Sequence, residues 1–198
     1  MLVRGPMETG EIRKLTTLLL ALLIFMVIHE GVHILTAVAF DEYEGFHVRG
    51  LGLEVTFKTP SEARMGLKWA VISGTSNIIT IALGYCFYAI RHRFATLHSL
   101  FYAGLGYWLN VLFLIVDPLN LSIGPLIYGG DATGIAVGLN VSRWLIQGVF
   151  LAIFLINREI VAQRLLPGFG IRTTHPLFQP WLPSNIDRSS VRETRSRR

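Results

Sequence analysis

Two histidines with a glutamate beside the first, His29-Glu30-Gly31-Val32-His33, are the residues here whose types and spacing point most directly to chemistry. On a helix, positions i and i+4 share a face, so both imidazoles point the same way. That spacing lets two ring nitrogens ligate one Zn²⁺ at about 2.0–2.1 Å. Glu30 then reaches the water on the metal and acts as general base. The metal lowers the pKa of that water toward about 7, and the water attacks a polarised carbonyl. The pattern lies inside an apolar run, residues 15–40, whose sole acid is Glu30. An acid at the centre of a span costs about 2.5–3.5 kcal/mol on translocon scales. Two histidines and a glutamate so close together ask for a polar partner, and a metal supplies one. Interhelical hydrogen bonds are the other way to satisfy them.

A catalytic zinc usually has three protein ligands and one open position. The third must come from elsewhere in the chain. Asp117 and Asp131 are the only acids between Glu62 and Glu159, and both border apolar segments. His98, His47 and Cys86 are further candidates. Asp117 precedes Pro118 and has an ordinary role at a helix end. Asp131 follows a Gly/Pro-rich stretch and has an ordinary role as an N-cap.

The elements that must position these groups are membrane helices. The 198 residues are 52% hydrophobic and only 16% charged, with mean hydropathy +0.49. Soluble domains carry about 25% charged residues, so the composition excludes a disordered chain, a nucleic-acid-binding domain and most soluble enzymes. The expected fold class is an all-α membrane protein, a bundle of about four transmembrane helices with a short surface β-hairpin after the first. Spans are expected at 15–40, 69–90, 94–116 and 131–157, since a span needs roughly 20 apolar residues. Asp117-Pro118 is expected to end the third, and 119–130 to form a loop. Alternation over 47–58, with Gly50 and Gly52 for a turn or bulge, predicts the hairpin. Residues 1–14 form a polar N-terminus, 15–157 the membrane domain, and 158–198 an Arg-rich polar tail expected to be partly disordered. A signal peptide is the rival for the first span, but His-Glu-x-x-His would interrupt its apolar core. Arg143, inside the fourth span, snorkels, pairs with Asp117 or marks a helix break.

At three places the chain resembles the site-2 protease family of zinc intramembrane metalloproteases. The first is IHEGVHILTAVAF. The second is Ser73-Gly74-Thr75-Ser76-Asn77 with the apolar run after it. The third, looser, is Asn120-Leu121-Ser122-Ile123-Gly124-Pro125, then Tyr128-Gly129-Gly130-Asp131-Ala132. In the family the aspartate is normally followed by Gly; here Ala132 follows, and the Asn-to-Asp spacing is longer. The resemblance implies a metal set of His29, His33 and Asp131, with Asp117 as the alternative third ligand. It implies Glu30 as catalytic base and Asn77 near the catalytic centre, hydrogen-bonding substrate backbone or an oxyanion. Asn77 is also placed to pack helices, beside the small residues Ser73, Gly74 and Ser76.

The expected function is a zinc-dependent intramembrane endopeptidase that cuts a peptide bond of a membrane-embedded substrate by metal-activated water. Its partners are a transmembrane protein or peptide and the lipid bilayer, with no nucleic acid. The alternative is a non-proteolytic or degenerate membrane metal-binding protein with a structural or partner-binding role. The intact Glu30 argues against that, because a closed structural site has no use for a base. A di-iron oxygenase would need clustered histidines, and the remaining ones are scattered. A transporter would need an internal repeat. The expected location is the cell membrane. The basic residues fall at the N-terminus, at Arg91/Arg93 and in the tail. With four spans these share one side, which the positive-inside rule makes cytoplasmic. The resemblance places the zinc nearer the cytosolic face instead.

Overall fold

A helix that faces lipid on most sides needs few inward residues. The first helix, α1 (Pro6–Ala39), is built that way. Thr17, Ala21, Phe25, His29, His33 and Ala37 recur at every fourth position and are buried, while Leu15, Leu19, Leu23, Val27 and Leu35 are exposed. Fourth-residue spacing keeps the inward groups on one side of the helix. This computed structural model describes residues 6–49, 52–127 and 130–182.

After α1 the chain turns at Asp41, whose φ of 56° is left-handed, into an antiparallel hairpin. Its strands are β1 (Tyr43–Arg49) and β2 (Gly52–Phe57), so the hairpin starts earlier than the alternation suggested. Gly50, expected in the turn, lies outside the described residues. Next come α2 (Leu67–Ala89), the short α3 (Arg91–Ala95) and α4 (Leu100–Ser122). A 3-10 turn at Gly124–Leu126 leads to α5 (Gly130–Leu139) and α6 (Arg143–Ile160). Four helical stretches are long and apolar enough to cross a membrane: Gly10–Ala39, Leu67–Ala89, Leu100–Leu126 and Arg143–Gly168. The protein is therefore an all-α bundle of four such helices with a two-stranded hairpin after the first.

Cross-contacts fix the directions. His33 on α1 meets Ile72 on α2, and Thr80 on α2 meets Asp117 on α4. On α6, Gln147 and Asn157 reach the carbonyls of Ser122 and Leu114 on α4. Successive long helices thus run antiparallel. The start of α1, the α2–α4 junction with Arg91 and Arg93, and the end of α6 share one face. The hairpin and the α5–α6 turn share the other. Phe25, Leu109, Leu112 and Phe113 form the apolar centre between α1 and α4.

Five expectations need correction. The third span begins at Leu100, not at residue 94, because α3 is a separate helix. It also runs through Asp117-Pro118 instead of ending there. A proline inside a helix deprives the carbonyl four residues back of its donor. Here that carbonyl is Leu114 O, and Asn157 Nδ2 takes the place of the missing N–H at 2.7 Å. The expected loop after it is therefore largely helical. The expected fourth span is two helices. Asn140, with φ 53°, ends α5, and the Ser142 hydroxyl accepts from Trp144 N to cap α6. Arg143 thus marks the break and opens α6 beside the ring of Trp144, 5.7 Å from its centroid. The expected tail also starts too early. The helix continues through a π turn at Val161–Leu165, and the chain to Leu182 folds back onto Arg158. Residues 183–198 lie outside the described residues.

Candidate metal centre

Three helices deliver the site. α1 contributes His29 and His33 from its buried stripe, α2 contributes a polar face, and α5 contributes Asp131 in its first turn. α5 approaches α2 closely because its contact residues are glycines. A methyl group on Gly138 would strike the Ala70 backbone, and one on Gly134 would strike Ser73 Oγ. That close approach carries Asp131 to the histidines.

The ring nitrogens are sorted by their partners. His33 Nδ1–H donates to Ile72 O at 3.0 Å, and His29 Nδ1–H donates to the Asp117 carboxylate at 3.2–3.3 Å. Each Nδ1 is thus occupied as a donor, which leaves each Nε2 with a lone pair. Both Nε2 atoms face the same oxygen, Asp131 Oδ2, at 3.6 Å from His29 and 3.2 Å from His33. Ligand atoms sharing one tetrahedral ion at about 2.0–2.1 Å lie about 3.3 Å apart. The observed spacings fall on either side of that value. One ligand atom from each of His29, His33 and Asp131 lies within 4.8 Å of the others, so this group can hold a metal ion. Both histidines are buried, and the Asp131 side chain keeps 21% exposure toward a cavity.

Asp117 stands behind His29 rather than beside Asp131. It is 1% exposed and also accepts from the Thr80 hydroxyl. Asn77 is fully buried; its amide donates to Ser73 O at 2.9 Å and to Asp131 Oδ2 at 3.0 Å. The amide thus bonds both its own helix and the metal group, and it lies beside the centre where the sequence put it. Glu30 is half-buried and lines the cavity with the two histidines and Asp131. That cavity has a volume of about 730 Å³. Its far wall is β2, from Leu53 to Phe57, together with Arg64. No family model, curated protein or solved structure matches the chain.

The remaining sequence candidates lie apart from this group. His47 and His98 are exposed, and Cys86 is an exposed free thiol. Three contributors escaped the sequence reading: Ile72 O, Ser76 and Thr80. The Ser76 hydroxyl lies 2.8 Å from His33 Nε2, at the edge of the metal group. A signal for two of them was present, because Ser73, Ser76, Asn77 and Thr80 recur at three- and four-residue spacing on α2 and so share a face.

The hairpin is tied to the bundle by a separate ionic contact at the first turn of α2. The Glu42 carboxylate accepts from Lys68 Nζ at 2.5 Å and from Thr59 N at 3.2 Å. The Lys68 hydrogen bond, seconded by Thr59, holds the Glu42 carboxyl below the usual glutamate range.

Proposed function

We propose that the protein is a zinc-dependent intramembrane endopeptidase of the site-2 protease type, acting on a membrane-embedded protein segment in the cell membrane. One observation carries this reading. Two Nε2 lone pairs and a carboxylate oxygen converge on one point beside Glu30, at the wall of an open cavity. A closed structural zinc site has four protein ligands, whereas three ligands and an accessible side are the catalytic pattern. Two histidines and a carboxylate suit zinc among the common ions.

In this reading His29, His33 and Asp131 hold the ion. When bound, it polarises the scissile carbonyl and lowers the pKa of water toward about 7. Glu30 takes the proton from the attacking water and returns it to the leaving amine. Asp117 fixes the His29 ring and Asn77 fixes Asp131, so both are positioning residues. A transmembrane helix hides its carbonyls in its own hydrogen bonds and must unwind to be cut. Among the described residues β2 pairs with β1 alone, and it lines the cavity, which supports reception of the unwound stretch by strand addition. The face bearing Arg91 and Arg93 is assigned to the cytoplasm by the positive-inside rule.

The test compares the purified full chain with Glu30→Gln, both in detergent and loaded with zinc. Metal content should match in the two proteins. Cleavage of a transmembrane model peptide should fall by about 10²–10⁴-fold in the variant. Cleavage at the wild-type rate by Glu30→Gln, or no stoichiometric metal in the wild type, would sink the proposal.

A further inference from the structure

The cavity at the metal group does not end there. A second cavity, about 540 Å³, shares Thr133 and Val137 with it. Those two residues are one turn apart and lie on one face of α5. α5 therefore forms a continuous floor that starts at Asp131 and runs to the α5–α6 turn. The walls of the second cavity include Met65, Ala136 and Val141, and its end is formed by Asn140 and Arg143. Arg143 is its only charged lining residue.

Arg143 has no carboxylate partner among the described residues. Its recorded contact is the Trp144 ring. The buried Arg158 shows how this fold treats an arginine whose role is internal, surrounding it with Glu159 and three carbonyls. Arg143 is left half-buried at the end of an apolar trough instead. A guanidinium so placed suits a carboxylate, which it binds through two parallel hydrogen bonds.

We propose that Arg143 is the specificity-determining residue of the site. The trough takes the flank of the membrane-embedded substrate, and Arg143 binds an Asp or Glu side chain at the end of that apolar stretch. This rests on the proteolytic reading above. The length of α5 sets the spacing. Asp131 to Leu139 spans roughly 12 Å of helix axis, which an extended peptide covers in about four residues. Arg143 lies past the end of α5, so the acid lies four or more residues from the cut bond. A phospholipid headgroup would also suit an arginine near the membrane surface. Continuity with the metal cavity favours the peptide, because a lipid site has no need to open onto the catalytic groups.

The experiment uses the zinc-loaded full chain and a set of synthetic Leu/Ala transmembrane peptides. A single Glu is moved one position at a time, and the cut sites are read by mass spectrometry. The cut should move with the Glu, at a constant separation of four or more residues. Replacing that Glu by Gln should raise KM about tenfold, the worth of one charge-assisted hydrogen bond. Arg143→Glu should remove this preference and favour a Lys at the same place. A binding arm uses Glu30→Gln protein and fluorescence anisotropy with the same peptides and with phosphatidylglycerol micelles. Tenfold tighter, Arg143-dependent binding of the Glu peptide supports the proposal even if no peptide is cut, in which case only the proteolytic reading fails. Cut sites indifferent to the Glu, with peptide binding indifferent to Arg143, overturn it. Arg143-dependent binding of the micelles without any peptide preference assigns the residue to lipid and overturns it as well.

Discussion

Two buried ionic clusters sit in this bundle and are built in opposite ways. Around Arg158, donors and acceptors close on one another. Its Nε donates to Leu177 O at 2.8 Å, Nη1 to Glu159 at 2.6 Å, and Nη2 to the carbonyls of Pro176 and Gln179, with the Trp181 ring 3.9 Å away. Glu159 accepts in turn from Gln163 and from the backbone N–H groups of Trp181 and Leu182. Each charge meets its complement inside the chain, and the result is a strap, residues 176–182, fastened to α6. The metal group does the reverse. Its outer atoms are satisfied, Nδ1 by Ile72 O and Asp117, while its inner atoms point at one another and at a cavity. Two histidine nitrogens and a carboxylate aimed at one point could hold a metal ion. A closed cluster holds the fold together, and a convergent open one leaves room for a ligand.

The contrast is broken most severely at the metal group. On the proposed reading His33→Ala removes a ligand, and the purified variant should lose essentially all bound zinc and all cleavage in metal analysis and peptide assay. Asp117→Asn keeps every ligand and weakens only the hold on His29. Its zinc affinity should drop about 10–100-fold in a chelator competition. Full metal loss in Asp117→Asn together with full occupancy in Asp131→Ala would exchange the two aspartates' roles.

Arg158→Leu attacks the other cluster. It leaves Glu159 buried without its cation, a change that costs about 3–5 kcal/mol where such pairs are fully desolvated. The expected results are a lowered Tm in detergent and proteolytic cleavage within 171–182. Zinc stoichiometry should stay at the wild-type value. Arg158→Lys should rescue little, because an ammonium cannot make the forked set of bonds. Loss of zinc with the strap would show that the two clusters are one unit.

The sequence displayed these clusters unequally, for physical reasons. His29, Glu30 and His33 were legible because a single helical turn places them together, and their cost in an apolar run demands an explanation. The spans were legible because burial in lipid needs length and hydropathy alone. The α5–α6 break was harder to read. Its signals are Asn140, Ser142 and Arg143, any of which a continuous helix tolerates. Pro118 misled, because the donor that repairs its helix, Asn157, lies in another span. The choice between Asp117 and Asp131 depends on how closely α5 packs on α2, and no local pattern encodes that. Arg158 read as the start of a polar tail because three of its partners are backbone carbonyls, which leave no trace in side-chain types.

The smallest expected effect concerns Glu42, whose pairing with Lys68 is a third arrangement, one ion pair at the membrane surface. Its carboxyl is held low in the folded state, chiefly by the Lys68 hydrogen bond. A depressed carboxyl stabilises the fold above its unfolded pKa, near 4.3, and that contribution is lost as pH falls through the lower folded value. Wild type and Glu42→Gln should therefore differ in Tm at pH 6, and the gap should narrow progressively below about pH 4.5. Acid also acts on other groups of the protein, but it does so in both proteins, so the difference between them isolates Glu42. The gap should be small, since Lys68 keeps 41% of its side chain exposed and a half-solvated pair is screened. A gap that stays constant down to pH 3 would mean that Glu42 holds the hairpin through the Thr59 backbone and packing alone. In that case the ionic character that separates the other two clusters would have no counterpart at the surface.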